Sequence, residues 1–141
     1  MTKIEEHIHW PNSPDMWMQY APAIRVTGGT TVYLSGVTAA PLYHHHHHRP
    51  EEFDQTPTNM EGQTRAALEQ MEIGLNSVGT TFADIVTANR FVTDLSDQDS
   101  LDRVWAENLG DNKPTTTTAQ VVQPATDPRC LVEINAVAII D

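Results

Sequence analysis

Residues 130–140, "CLVEINAVAII", follow a period of two, and this alternation is the feature that most constrains the fold. In a β-strand, successive side chains point to opposite faces of the sheet. One set is wholly apolar, as expected of a face packed on helices, and comprises Val132, Ile134, Ala136 and Ala138. The other set is mixed and comprises Leu131, Glu133, Asn135 and Val137. The alternation therefore predicts a sheet with one helix-covered face and one half-polar face, of the kind that a partner subunit covers.

Strand-like and helix-like periodicities also set the order of the elements. The elements so predicted are strands at about 24–28 and 31–37, a helix over 58–78, a strand over 83–95, a helix over 100–109 and strands over 114–122 and 130–140. Gly28-Gly29 is typical of the tight turn of a hairpin between the first two strands. The order β-β-α-β-α-β-β predicts an α+β two-layer domain, a mixed β-sheet with two helices on one face.

A chain of 141 residues fits one domain, here 1–141. Residues 1–23 are predicted to be an extended lead-in, and residues 40–57 a surface loop rich in histidine and proline. The run His44–His48 within this loop allows three interpretations: a metal site, a loop at the mouth of a cleft, or a passive loop. Because consecutive histidines give no fixed ligand geometry, we predict no metal site.

Composition excludes several classes of partner. Eight basic against nineteen acidic side chains give a net charge of -11, which opposes contact with nucleic acid. No apolar run is long enough to cross a membrane, and the segment "MTKIEEHIHW" lacks the apolar stretch of a secretory signal. Cys130 is the only cysteine, so we expect a cytoplasmic protein without an internal disulfide. Arg129 beside Cys130 allows a reactive thiol, but a buried strand cysteine is the preferred interpretation.

Several segments together resemble the RidA/YjgF family. They are "VYLSGVTA", "GQTRAALEQM", "SVGTTFADIVTANRFVTDLSD", "KPTTTTAQV" and "LVEINAVAI". The resemblance covers about residues 20 to 139. It implies a chorismate-mutase-like fold, a homotrimer with three clefts between subunits, and no cofactor. It also implies hydrolysis of reactive enamines and imines to ketoacids and ammonia; one branch of the family deaminates 2-aminomuconate.

The resemblance also implies where the catalytic groups lie. Thr116 stands where catalytic members carry an arginine that binds the substrate carboxylate. In a last strand patterned like E-x-E-A, Glu133 is kept and Asn135 replaces the second acid. Thr and Asn can hydrogen-bond a ligand but supply no charge. We therefore predict Glu133, Asn135 and Thr116 as the catalytic positions, with the usual arginine and glutamate replaced.

Other positions are predicted to bind substrate. Tyr20, Ser35 and Gly36 match family positions near the cleft, and Asp102 stands where many members have asparagine. Arg90 or Arg25 could replace the missing arginine from a neighbouring strand. The predicted substrate-binding residues are Tyr20, Ser35, Gly36, Arg90, Asp102, Thr118, His44 and His46. Thr116, Thr118 and Gln120 share one strand face, and with Ser35 and Asn135 they predict a polar cleft.

The leading functional hypothesis is a deaminase or related hydrolase acting on a small enamine, imine or unsaturated amino acid. One alternative is a non-catalytic trimer that binds a small metabolite. Another is a specialised enzyme of aromatic catabolism, either an aminomuconate-type deaminase or a tautomerase. Each hypothesis places a small molecule in a cleft between subunits.

Overall fold

The computed structural model describes residues 1–9, 18, 20–42, 45 and 47–141. Within these residues the strands are β1 (Ile4–Ile8), β2 (Ala23–Thr27), β3 (Thr30–Val37), β4 (Ile85–Val92), β5 (Thr115–Gln120) and β6 (Val132–Ile140). The α-helices are α1 (Met60–Ser77) and α2 (Gln98–Leu109). Short 3-10 turns occupy Pro50–Phe53, Phe82–Asp84 and Leu95–Asp97.

The main sheet has four strands in the order β3-β6-β4-β5. β6 is antiparallel to both of its neighbours, whereas β4 and β5 are parallel to each other. α2 supplies the crossover that a parallel pair requires. The sheet is therefore mixed, and the predicted α+β fold with two helices and a mixed sheet is confirmed.

The core lies between one face of this sheet and the two helices. The apolar set predicted from the alternation of β6 is buried, and it packs with side chains from β4, α1 and α2. Leu75 of α1 and Val104 of α2 have no exposed surface. Asn59 begins α1 by accepting a hydrogen bond from the backbone N–H of Gly62. Glu133, Asn135 and Val137 of the mixed set lie on the opposite, open face, where they are only partly buried. Leu131 departs from the prediction, because it precedes β6 and packs against the core.

The predicted hairpin between β2 and β3 is wrong. Gly28 and Gly29 do adopt positive φ angles of 78° and 80°. However, β2 pairs with β1 in a separate two-stranded sheet, and β3 pairs with β6. β1 lies inside residues 1–23, which are predicted to be an extended lead-in. Two of the five residues of β1, "IEEHI", are glutamates, so its strand character depends on its pairing with β2.

The predicted loop over 40–57 is partly anchored to the domain. Phe53, at the end of a 3-10 turn, is 1% exposed and packs in a small cluster with Ala40 and Cys130. Arg129 donates hydrogen bonds to the Asp54 carboxylate and the Pro50 carbonyl. Burial raises the pKa of the Cys130 thiol. A buried thiol with a raised pKa is a poor nucleophile, which favours the structural interpretation of this cysteine.

Neither α-helix in the described ranges combines the length and the apolar character that crossing a bilayer would require.

Candidate functional site

A cavity of about 520 Å³ lies on the helix side of the sheet, where α2 crosses β4 and β5. Its lining residues are Met18, Tyr20, Arg90, Gln98, Asp102, Trp105, Thr116 and Thr118. In the parallel β4–β5 pair, Arg90 lies beside Thr118, and Ala88 beside Thr116. Paired residues project from the same face of the sheet. The register therefore places Arg90, Thr116 and Thr118 together beneath α2.

Arg90 is a buried charged residue of the cavity, and only 5% of it is exposed. Its Nε and Nη2 both donate to Thr118 Oγ1, at 3.0 and 2.7 Å. Its Nη1 lies 2.8 Å from Asp102 Oδ1. The Trp105 ring covers the guanidinium at 5.4 Å from its centroid, within the range of a cation–π interaction. The guanidinium is thus held by Thr118 along one edge, by Asp102 at Nη1 and by Trp105 over one face.

Burial lowers the pKa of Arg90, while the negative charge of Asp102 opposes this change. Arginine nevertheless stays protonated in proteins, so the cavity contains a permanent cation. Asp102 Oδ1 is buried, and it lies 2.8 Å from Arg90 Nη1. A carboxylate oxygen can accept more than one hydrogen bond, so Oδ1 can accept another from a ligand.

A second group of predicted residues lies on the open face of the sheet. A β-bulge in β3 sets Ser35 and Gly36 against β6 between the pairs Leu34–Ala136 and Val37–Ile134. Glu133 lies against this bulge, since a Cβ atom added to Gly36 would come within 3.0 Å of Glu133 Oε1. Bulges are frequent beside active sites because they redirect side chains.

Asn135 completes this second group. Its Oδ1 accepts a hydrogen bond of 3.1 Å from Asn89 Nδ2 on β4, its partner in the antiparallel register. Asn89 is exposed, whereas the next residue, Arg90, is buried on the helix side. Glu133 and Asn135 therefore lie on the face opposite the cavity.

Within one chain, the predicted site residues thus form two separate groups. Those in the cavity are Tyr20, Arg90, Asp102, Thr116 and Thr118. Those on the open face are Ser35, Gly36, Glu133 and Asn135. The single polar cleft inferred from strand periodicity does not form in one subunit, because β5 and β6 contribute these side chains to different faces. His44 and His46 lie outside the described residues.

Two cavity residues that were not predicted as site residues, Gln98 and Trp105, could have been found from the sequence by their spacing to Asp102. Gln98, Asp102 and Trp105 follow i, i+4 and i+7 spacing, which places them on one face of α2. Trp105 is expected to pack in the core, and it does, yet its ring also covers Arg90. Arg25, the alternative to Arg90, forms an exposed ion pair with Glu6 on the β1–β2 hairpin and does not line the cavity.

Among the described residues, no three histidine, cysteine, aspartate or glutamate side chains form a group that could hold a metal ion. His48 Nδ1 lies 2.8 Å from the Thr126 carbonyl, and His45 Nδ1 lies 3.1 Å from Glu52 Oε1. The first contact joins the loop over 40–57 to the segment before β6, whereas the second lies within the loop.

The fold is an α+β domain with a cavity that contains a buried ion pair, and comparisons with known proteins identify its family. The family model described as Endoribonuclease L-PSP matches residues 11–140. The chain therefore belongs to this family, which is also known as RidA/YjgF.

Relatives match across most of the chain. A RutC family protein of Pyrococcus horikoshii is 25% identical over 135 residues, covering 96% of this chain and 98% of the relative. TdcF of Escherichia coli strain K12, which carries the provisional name reactive intermediate deaminase, is 25% identical over 118 residues. That match covers 82% of this chain and 92% of TdcF.

Solved structures agree with this assignment. A Mycobacterium tuberculosis member of the YjgF/YER057c/UK114 family is 27% identical with a TM-score of 0.64, covering 97% of this chain and all of that one. The Rid family protein YyfB of Yersinia pestis has a TM-score of 0.73 at 18% identity, covering 96% of this chain and 98% of that one. At that identity the similarity to YyfB shows the fold alone.

Proposed function

We propose that this protein is a RidA-type hydrolase that deaminates a small enamine, imine or unsaturated amino acid. The observation that carries the proposal is the buried guanidinium of Arg90 in a cavity that also contains Thr116. Thr116 occupies the position at which the family resemblance places a carboxylate-binding arginine. Arg90 supplies the same charge from the adjacent strand, so replacement of the usual arginine by Thr116 does not remove the cation from the site.

The proposed reaction needs a water molecule as well as a carboxylate site. Water adds to the carbon of the C=N bond, the resulting tetrahedral adduct loses ammonia, and a ketoacid remains. A carboxylate that accepts a proton from the attacking water is an effective general base. Glu133 is proposed for this role, and Asn135, which is already hydrogen-bonded to Asn89, is proposed to orient the water or substrate.

This assignment requires more than one subunit, because Glu133 and the cavity lie on opposite faces of one chain. We propose a homotrimer in which the open face of one subunit meets the cavity edge of the next. The open face supports this assembly because it carries apolar side chains, including Tyr33, which is 81% exposed. Light scattering in dilute solution should give three times the mass of the 15.7 kDa chain. The mass of one chain would reject the intersubunit site.

Cleavage of RNA, which the description of the family model names, is not part of the proposal. A net charge of -11 opposes binding of a phosphate backbone. The cavity also places an acidic side chain, Asp102, beside its buried cation. A small molecule with limited negative charge fits these electrostatics better than a polyanion.

Ammonia release from freshly generated 2-aminoacrylate or iminopyruvate tests the function directly. Wild type should release ammonia faster than buffer, and Glu133→Gln should lower the rate by about a hundredfold or more, as expected for loss of a general base. Glu69→Gln, at an exposed position on α1, is the matched control and should leave the rate unchanged. A wild-type rate equal to that of buffer would instead favour the non-catalytic binding protein.

A further inference from the structure

The cavity contains one cation and one anion that neutralise each other. Arg90 Nη1 and Asp102 Oδ1 are 2.8 Å apart, and the Arg90 side chain is 6% exposed. A ligand that binds either group changes the electrostatic environment of the other. The charge that the ligand brings therefore decides whether the pair is compensated or disrupted.

The guanidinium retains the capacity to bind a ligand. Arginine has five N–H groups, of which Thr118 accepts two and Asp102 faces one. Within the described ranges, the other two N–H groups have no acceptor. Trp105 covers one face of the group, so these donors remain available in the plane of the guanidinium. A carboxylate is the anion that matches this planar arrangement.

A simple monocarboxylate would fit the pair poorly. It would place a second carboxylate beside Asp102, and two carboxylates sharing one site repel each other. Drawing Arg90 away would leave the buried oxygen of Asp102 without its counter-charge, which is costly for a charge held away from water. A ligand that carries a cationic nitrogen next to its carboxylate avoids both penalties. The nitrogen can donate to Asp102, whose Oδ1 has unused hydrogen-bonding capacity.

We propose that Arg90 and Asp102 together bind both ends of a small zwitterion, Arg90 the carboxylate and Asp102 the adjacent cationic nitrogen. This inference rests on the proposed function, because it takes the cavity to be the substrate site. It adds that the ion pair discriminates between substrate and product. Hydrolysis converts a protonated imine and water into an oxo group and ammonium. The oxo acid lacks the cationic nitrogen, so Asp102 loses its partner and the product binds weakly.

The test is a binding measurement with two unreactive probes of similar size, alanine and pyruvate, by titration calorimetry or ligand-observed NMR. Wild type should bind alanine at least about tenfold more tightly than pyruvate, a difference of about 1.4 kcal/mol. Asp102→Asn, which keeps the shape and removes the charge, should weaken alanine binding, strengthen pyruvate binding and so abolish the preference. Arg90→Gln should weaken binding of both probes, with circular dichroism used to confirm that the variant folds.

Three results would overturn the inference: equal affinity of wild type for the two probes, a preference that survives Asp102→Asn, or no measurable binding of alanine. If Arg90→Gln does not fold, Asp102→Asn still decides the question. Binding of the probes does not require turnover. If the protein prefers alanine as described but releases no ammonia, the proposed deaminase is rejected and the zwitterion site is retained. If it releases ammonia without this preference, the zwitterion site is rejected and the deaminase is retained.

Discussion

Thr118 Oγ1 accepts hydrogen bonds from both Nε and Nη2 of Arg90, at 3.0 and 2.7 Å. One hydroxyl of β5 thus fixes an edge of the only charged side chain that β4 buries beneath α2 within the described ranges. The parallel register of the two strands makes this contact possible, since it sets the residues side by side. The remaining donors of the guanidinium are held in a defined direction within the cavity.

Removing the Thr118 hydroxyl, which accepts from Arg90, should destabilise the protein. Thr118→Val keeps the size of the side chain but leaves two buried N–H groups of Arg90 without their partner. Hydrogen bonds to charged groups typically contribute about 1.5–3 kcal/mol, so we expect a loss of that order in the free energy of unfolding. Urea denaturation measures it. Thr117→Val is the matched control, because Thr117 is exposed on the opposite face of the same strand. Equal effects of the two substitutions would contradict the structural role of Thr118.

Gln63 should be among the most sensitive polar residues of α1. It is fully buried, donates from Nε2 to the Pro57 and Arg129 carbonyls, and accepts from the Leu131 N–H. Gln63→Met removes all three hydrogen bonds and leaves backbone groups unsatisfied, which should cost roughly 2–4 kcal/mol in the free energy of unfolding.

Gln70→Met on the same helix serves as the control for Gln63. Within the described ranges, the Gln70 side chain makes one hydrogen bond, from Nε2 to the Ala40 carbonyl. Its loss should lower the free energy of unfolding by only about 1 kcal/mol. A smaller effect at position 63 than at position 70 would show that water replaces the contacts of Gln63.

Two glycine substitutions should separate stability from activity. Gly36→Ala places a Cβ atom 3.0 Å from Glu133 Oε1 and 3.1 Å from its Cδ, so the flexible carboxylate must move. We expect a folded protein with slower ammonia release. Gly74→Ala meets only Leu34 Cδ2 at 3.6 Å, and alanine in a helix is favoured by about 0.5–1 kcal/mol. Thermal unfolding and ammonia release should be measured on both variants. Gly36→Ala should lose turnover, whereas Gly74→Ala should raise the melting temperature and leave turnover unchanged. Unchanged turnover in Gly36→Ala would argue against a catalytic role for Glu133.

Asp127 should make stability depend on acidity. Hydrogen bonds from the Arg129 side chain lower the pKa of Asp127, and the Arg129 backbone N–H adds to this effect. A carboxylate with a lowered folded-state pKa stabilises the protein above the unfolded-state pKa, about 3.9. That contribution is lost as the pH falls through the folded-state value.

Urea midpoints measured from neutral pH down to about pH 3 test this prediction. Asp127→Asn should be less stable than wild type at neutral pH, and its stability should fall less steeply below about pH 4. Asp99→Asn, at an exposed position on α2, controls for the loss of one negative charge. Parallel curves for wild type and Asp127→Asn would contradict the contribution of the Arg129 contact.

Local periodicity was sufficient to find most elements of this fold. The alternation in β6 predicted which of its side chains enter the core, and helical periodicity over 58–78 predicted α1. These predictions succeed because the sequence period and the backbone geometry are both local properties. The family resemblance added Tyr20, Asp102 and Thr116 as expected site positions, and these three line one cavity. Arg90, proposed as a substitute for the missing arginine, and Thr118, proposed from strand periodicity, line the same cavity.

Only the tertiary structure decided which elements meet. The turn at Gly28-Gly29 is local, but the partners of β2 and β3 are not, and a hairpin was predicted where each strand pairs elsewhere. Likewise, periodicity shows which residues share a face with Thr116 and which share a face with Asn135. It does not show whether these two faces lie on the same side of the sheet. The β4–β5 and β4–β6 registers place them on opposite sides of the sheet. The sequence determined the elements and their buried faces, whereas strand order and register, which depend on contacts between distant segments, determined that Arg90 meets Asp102.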